Sequence, residues 1–273
     1  MFLTKKEMSR RGFLTLVGKL GVGAALGGSI LNLGSKALGA TVPLPWVTWP
    51  SLDPDEIAEK AYWGYYGKDT DGTAGIDGKS CAYAVFNAIV SELNPEAAYK
   101  LPEEMMQYGH GGVSGMGHIC GALNGASAVI NLIKGATPIK KNLTLMDNTI
   151  KQLMLWYEQE EHPTYVPPFT PKLDFTPPTI VPHSALCHVF VTKWCHEYGY
   201  TTSSPQRGEC CARLAADVAK RTVELLNGTV TETYDLTDST QRCLSCHGSS
   251  AMDNVKGQME CLTCHKKHHG SGK

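Results

Sequence analysis

The fold and chemistry of this chain are decided by residues 243–269, which read CLSCHGSSAMDNVKGQMECLTCHKKHH. The stretch contains the pattern Cys-x-x-Cys-His twice, as Cys243–Cys246–His247 and as Cys261–Cys264–His265. This pattern attaches c-type haem, because its two thiols add to the vinyl groups of the ring and its histidine becomes an axial ligand of the iron. Since the whole pattern recurs eighteen residues further on, the sequence predicts two covalent haems c per chain.

A zinc ribbon is the alternative interpretation of these residues, because two Cys-x-x-Cys pairs can hold zinc tetrahedrally. A zinc site would not need a histidine after each pair. The stretch also has few large apolar side chains of its own beyond Met252, Val255 and Met259. Two macrocycles would supply the hydrophobic core that it lacks, so the pattern favours haem. We therefore expect the rings to stack on each other and the segment to help form a dimer.

The N-terminus carries an export signal. Residues 9–14 read SRRGFL, which is typical of twin-arginine signals, and a weakly apolar, glycine-rich run follows over residues 16–33. A membrane anchor is the alternative, but Lys19 and the glycines make the run too polar for a confident span. We predict that residues 1–40 are a signal peptide and that the mature protein lies in the periplasm, not embedded in the membrane.

The rest of the chain indicates a mainly α fold. A net charge of −1 over 273 residues gives no indication of a nucleic-acid partner. Helices are predicted from a cap at Asp53 onward and over residues 81–93, 119–133, 146–160, 184–198 and 209–226, with a proline-rich crossing at 165–182. Gly228 is expected to stop the last of these helices. No strand pattern of any length precedes a polar linker at 229–242. We expect a helical domain at 41–228 and an irregular dihaem-binding segment at 229–273, called the tail below.

Six cysteines lie outside the haem motifs. Predicted helix starts hold Cys81, Cys120 and the pair Cys210–Cys211, and helix starts favour thiolates and cluster sulfides. Four thiolates suit zinc or an iron–sulfur cluster. Two or three disulfides are the alternative in an oxidising compartment, but export of a folded protein favours a cluster assembled in the cytoplasm. The predicted ligands are Cys81, Cys120, Cys195 and Cys211, with Cys210 as the rival fourth ligand and Cys187 as a buried free thiol.

Part of the sequence resembles a redox-active family named for its C…GCAxxG…C…C pattern. The resemblance rests on residues 81–85 (CAYAV), 115–117 (GMG) and 120–125 (CGALNG), with Cys195 and Cys210 or Cys211 as the last two cysteines. The GCA triplet is matched loosely, by ICGA at residues 119–122. With the haem motifs added, the chain from Cys81 onward is similar to the split-Soret family of cytochromes c. That similarity implies a homodimer, two closely packed bis-histidine haems per subunit and a [2Fe-2S] centre.

Each haem iron needs a sixth ligand or keeps an open position. His268 and His269 are the first candidates, for the other haem of the pair or for a haem of the partner subunit. His110 and His118 are the next candidates. Ligation by Met252 or Met259 is a further alternative and would raise the reduction potential of the haem.

No pattern in the chain predicts a substrate pocket with a placed acid, base or nucleophile. The sequence therefore favours low-potential electron transfer between redox partner proteins. A reductase acting on nitrite or peroxide at an open haem, and a redox sensor, are the alternatives.

The first prediction concerns haem attachment. Cys246→Ala and Cys264→Ala each remove one of the two thioether bonds of one motif, so each variant is expected to lose one covalent haem. The pyridine haemochrome assay on purified protein measures this loss. Two covalent haems in either variant would contradict the assignment of the motifs.

Overall fold

Seven α-helices make up most of the computed structural model, which describes residues 49–67, 80–93, 103–135 and 143–265. They are α1 (Pro54–Tyr65), α2 (Cys81–Leu93), α3 (Gly121–Ile130), α4 (Leu143–Gln159), α5 (Cys187–Tyr198), α6 (Pro205–Asn227) and α7 (Asp238–His247). Short 3₁₀ turns lie at Glu103–Gly109 and Cys261–Thr263, and a π turn lies at Asn131–Gly135. Over these ranges only two isolated β-bridges occur and no strand, so the prediction of a mainly α fold is confirmed.

The helix ends follow local capping chemistry. Asp53 caps α1 by accepting hydrogen bonds from the backbone N–H groups of Asp55 and Glu56, as predicted. Ser204 caps α6 in the same way, and Pro205 occupies the first turn. The prediction that α6 begins near Glu209 is therefore wrong, and Cys210 and Cys211 lie in its second turn rather than at its start. Gly228, with φ of 72°, ends α6 as expected.

Helix α6 is the central element of the fold and packs against α1, α2, α3 and α4. Helices α2 and α3 approach each other through glycine. A Cβ atom at residue 125 would lie 2.3 Å from the carbonyl oxygen of Ala82, and one at residue 121 would lie 2.3 Å from the Sγ of Cys81. The glycines of α3 therefore allow the backbones to touch and bring the starts of α2 and α3 together.

A buried carboxylate joins α1 to α6 immediately before the cysteine pair. Glu209 is fully buried and accepts hydrogen bonds from the hydroxyls of Tyr62 and Tyr66, at 2.8 and 2.7 Å. Arg213, one turn further along α6, donates from Nε to the same carboxylate at 2.9 Å. Arg213 also donates to the carbonyl of Phe175, which ties the irregular crossing to this network. Paired and hydrogen-bonded charges of this kind fix the rotation of α6 about its axis.

The tail is more regular than predicted, because α7 occupies part of the expected linker. Gln152 of α4 holds the approach to α7 through two hydrogen bonds to the backbone of Tyr234, at 2.8 and 3.0 Å. The Thr263 hydroxyl, inside the second haem motif, donates to the carbonyl of His183 at 2.6 Å. The tail is therefore attached to the helical body at two points, one shortly before α7 and one inside the second haem motif.

Two further predictions concern the N-terminus and the membrane. The predicted signal peptide, residues 1–40, lies outside the described residues. Within the ranges that the structure describes, no helix has the length and apolar character needed to span a bilayer.

The second prediction tests the contact between α2 and α3. Gly125→Ala is expected to destabilise the fold by about 1–3 kcal/mol, because the added methyl group meets a backbone oxygen that cannot move aside easily. Gly208→Ala in α6 is the matched control: a Cβ there meets nothing within 4 Å. The control should be neutral or stabilising by about 0.5–1 kcal/mol, since alanine is the better helix former. Chemical denaturation of both variants measures this difference, and equal effects would refute the packing argument.

Candidate redox centres

The two haem motifs lie side by side. The first forms the C-terminal end of α7 and the second begins in the 3₁₀ turn at Cys261. Burial raises the pKa of the Cys261 thiol, and the neighbouring Cys243 sulfur raises it further. The Sγ of Cys261 also lies 3.6 Å from the carbonyl oxygen of Met259. The first cysteines of the two motifs are therefore adjacent, so rings attached to them would start from neighbouring points.

A single carboxylate holds the motifs together. Glu260 accepts hydrogen bonds from the hydroxyls of Thr237, Ser239 and Thr240 at the start of α7. It also accepts from the backbone N–H of Leu262, inside the second motif, at 3.1 Å. Although burial alone would raise the pKa of Glu260, these hydrogen bonds lower it below its usual range. Glu260 is therefore charged at neutral pH and fixes the separation of the two motifs.

The histidine of the first motif is oriented by a neighbour. His247 Nδ1 and Asn254 Oδ1 are 3.0 Å apart, in the stretch between the motifs. Because an amide oxygen can only accept, this hydrogen bond requires the proton on Nδ1, and a proton there is what an imidazole that ligates iron through Nε2 needs. His265 is exposed at the end of the described range. His268 and His269 lie outside the described residues.

His183 is a further histidine beside the tail that the sequence patterns did not select. Its φ of 56° lies in the left-handed region, which is uncommon for a residue with a side chain. Its carbonyl receives the Thr263 hydroxyl, and the residue lines a small cavity together with Thr240 and Glu260. No local motif marks His183, since its position depends on long-range contacts.

Four of the remaining cysteines converge from the N-terminal ends of four helices. Cys81 and Cys187 are the first residues of α2 and α5, and Cys120 is the N-cap of α3. Cys211 joins them from α6. Cys81, Cys187 and Cys211 line a cavity of about 430 Å³, and Cys120 interacts electrostatically with all three. We call Cys81, Cys120, Cys187 and Cys211 the thiol site.

The electrostatics of the thiol site oppose ionisation. Burial raises the pKa of Cys81 well above its usual value, and the charges of Cys120, Cys211 and Cys187 raise it further. Burial, followed by the Cys120 and Cys211 charges, raises the pKa of Cys187 to about 12. Four thiolates can therefore exist here only with compensating positive charge, which a metal centre supplies.

The thiol site offers four sulfur donors. Within the described residues, no group of three or more His, Cys, Asp or Glu side chains is close enough to hold a single metal ion. Cys81, Cys187 and Cys211 instead line one cavity, and four thiolates are a donor set that suits an iron–sulfur cluster. The Cβ-free Gly121 makes room for the Cys81 sulfur at one edge of this site.

Polar neighbours of the thiol site would help to compensate the negative charge of its thiolates. Burial raises the pKa of Cys211, whereas Arg207 and Tyr65 lower it. Arg207 is held by hydrogen bonds to the Tyr65 hydroxyl at 3.0 Å and to the Thr202 carbonyl at 2.6 Å. On the far side, the buried Tyr157 hydroxyl lies beside Cys120 and has no other hydrogen-bond partner. These residues carry no sequence signal, because they come from three distant segments.

The structure brings together three of the four predicted ligands: Cys81, Cys120 and Cys211. Cys195, the predicted fourth ligand, lies in the last turn of α5. It is a neighbour of Cys210 and Cys211 of α6. Cys187, which was expected to be uninvolved, lies in the thiol site. The ten cysteines, all within the described residues, form no disulfide. The reserve histidine His110 lines the same cavity as Cys81, whereas His118 is exposed beside the bridge to α5.

Comparisons with known proteins show which family the chain belongs to. Residues 79–225 match the family described as "Putative redox-active protein (C_GCAxxG_C_C)". Split-Soret cytochrome c of Desulfovibrio desulfuricans is 33% identical over 268 residues, which cover 89% of this chain and 90% of that protein. A solved structure described as showing a novel iron centre in the split-Soret cytochrome c of the same species superposes with a TM-score of 0.66. That match is 29% identical and covers 83% of this chain and 94% of the other.

These matches define the class of the protein as a c-type cytochrome with a redox-active helical domain. The chain belongs to the family of split-Soret cytochromes c, and residues 79–225 are its C_GCAxxG_C_C region.

Proposed function

We propose that this protein is a periplasmic electron-transfer cytochrome with two covalent haems c and a [2Fe-2S] centre in each chain. The observation that carries the proposal is the presence, in one chain, of two haem motifs clamped together by Glu260 and of a four-thiol site in the helical body. Haem and iron–sulfur groups supply one-electron chemistry when bound. The chain's own residues fix where these groups sit and what charge surrounds them.

The adjacent motifs support a stacked pair of haems. Cys243 and Cys261 are neighbours, so the two rings start close together, and Glu260 keeps them so. Mutual stacking would bury the most ring surface with the least protein, and apolar burial stabilises by about 25 cal/mol per Å². His247 and His265 are the proximal ligands in this proposal. His268 and His269 remain the predicted distal ligands, and His183 joins them because its carbonyl is bonded to the second motif.

The homodimer belongs to the same proposal. The stretch between the motifs exposes Met252, Val255 and Met259, and stacked rings would leave an outer face uncovered. A second subunit would cover both. Redox partner proteins would then exchange electrons at the exposed edges of the haems.

For the iron–sulfur centre we propose the thiol site as the ligand set. Cys187 takes the fourth place because it shares a cavity with Cys81 and Cys211 and interacts with Cys120. The set with Cys195 in that place, predicted from the sequence, is the rival. Arg207 would hold the Cys211 thiolate charged and would balance part of the negative charge of the centre.

The third prediction separates the two ligand sets. Cys187→Ser is expected to lose most non-haem iron and inorganic sulfide, whereas Cys195→Ser keeps both, because only Cys187 lies in the thiol site. Both variants remove one sulfur from α5, so each is the control for the other. Protein purified without oxygen is analysed for iron and sulfide, with covalent haem as the internal standard. Loss in Cys195→Ser alone would establish the rival set.

The fourth prediction tests electron transfer against catalysis. We expect six-coordinate, low-spin iron at both haems, a split Soret band after reduction, because stacked chromophores couple, and a dimer in analytical ultracentrifugation. Electron paramagnetic resonance and absorption spectra of the full chain measure the first two. A high-spin haem that binds nitrite or peroxide would favour the reductase. A single symmetric Soret band from a monomer would refute the stacked dimer.

A further inference from the structure

An apolar cavity of about 300 Å³ lies between the helical body and the tail. Ile119, Met154 and Leu186 contribute to its wall from the body, and Leu236 and Met259 contribute from the tail. Lys151 and Glu158 are the charged residues of its lining. The Glu158 carboxylate is engaged by the backbone N–H of Ala185 at 3.1 Å. An apolar wall with one cation available is suited to a flat apolar group that carries negative charge at its edge.

The back wall of this cavity is the antiparallel bridge between Ile119 and Leu186. Two backbone hydrogen bonds of 2.7 Å flank the bridge, from Cys120 N–H to the Ala185 carbonyl and from Cys187 N–H to the His118 carbonyl. Successive side chains of an extended segment point to opposite faces. Ile119 and Leu186 accordingly line the apolar cavity, while the next residues, Cys120 and Cys187, belong to the thiol site. One layer of hydrogen-bonded backbone separates the two.

We propose that the apolar cavity receives the edge of the haem attached at Cys261 and Cys264, and that the Ile119–Leu186 bridge is the electron-transfer junction between this haem and the thiol site. The inference rests on the proposed function, because it needs both cofactors to be present.

The position of the second haem motif supports a haem as the occupant of the apolar cavity. Met259, in the cavity wall, precedes Cys261 by two residues, and the Cys261 sulfur lies 3.6 Å from the Met259 carbonyl. A ring bonded to that sulfur begins at the rim of the cavity. Its apolar edge would displace water from Ile119, Met154 and Leu186, and Lys151 would pair with a propionate.

The junction is a pure electron-transfer element. With both groups bound, one electron would pass between the haem and the centre in the thiol site, so one partner would be oxidised by one unit as the other is reduced, and no bond or proton would change hands. The two hydrogen bonds across the bridge connect the backbone of Cys120 and Cys187 directly to the residues around Ile119 and Leu186.

Filling the cavity tests the proposal. Met154→Trp places a bulky side chain where the haem edge would lie, whereas Met105→Trp makes the same exchange at an exposed position in the Glu103–Gly109 turn that lines neither cavity. We expect pulse radiolysis to show haem-to-centre transfer slowed by an order of magnitude or more in Met154→Trp and unchanged in Met105→Trp. Haem and non-haem iron contents should match those of the wild type in both variants.

Other outcomes overturn specific claims. A wild-type transfer rate in Met154→Trp with full cofactor content refutes the junction while leaving the proposed function intact. Absence of non-haem iron from wild-type protein purified without oxygen refutes the proposed function itself. If Met154→Trp fails to fold, Leu236→Trp fills the cavity from the tail and is judged by the same criterion. In the wild type, spin relaxation of the reduced centre that does not respond to a ferric haem would also refute the junction.

Discussion

The burial of four thiols in one site is the constraint that shapes the helical body around them. Burial raises the pKa of all four thiols, and neighbouring sulfur charges raise the pKa of Cys81 and Cys187 further, so the fold must bring positive potential to the same place if these sulfurs are to ionise. It does so by directing the N-termini of α2, α3 and α5 toward the site, since helix starts carry partial positive charge. Arg207 adds a full charge beside Cys211. The close contact of α2 and α3 through Gly121 follows from this need, because Cys81 and Cys120 begin or cap those two helices.

In the tail, one carboxylate holds the two haem motifs in place. The tail has little apolar surface, so it cannot fix its own geometry by packing. Glu260 replaces a core there: its hydrogen bonds from Thr237, Ser239 and Thr240 join the start of α7 to the second haem motif. The buried Glu209 does the same for α1 and α6 just ahead of Cys210. In both places a hydrogen-bonded carboxylate fixes the position of a cysteine-bearing element against its neighbour.

Local patterns allowed the prediction of those parts of the molecule that depend on nearby residues. The cap at Asp53, the span of α2 and the stop at Gly228 all follow from neighbours in sequence. The helix predicted over residues 209–226 begins four residues too late, because the polar residues before it indicate a loop. Ser204 and Pro205 are nevertheless residues typical of a helix start. The place of Cys187 could not be predicted, because it depends on a bridge between residues 119 and 186 that no periodicity records.

That bridge also explains why so small a β-element is kept in a helical protein. A helix at this point would distribute its side chains around a cylinder, whereas an extended pair sends them to two opposite faces. Two residues on each extended segment then contribute to one apolar wall and one thiol wall, with two backbone hydrogen bonds between the segments. The arrangement places the thiol site and the apolar cavity on opposite sides of one bridge. The same alternation therefore leaves one layer of hydrogen-bonded backbone between the apolar cavity and the thiol site.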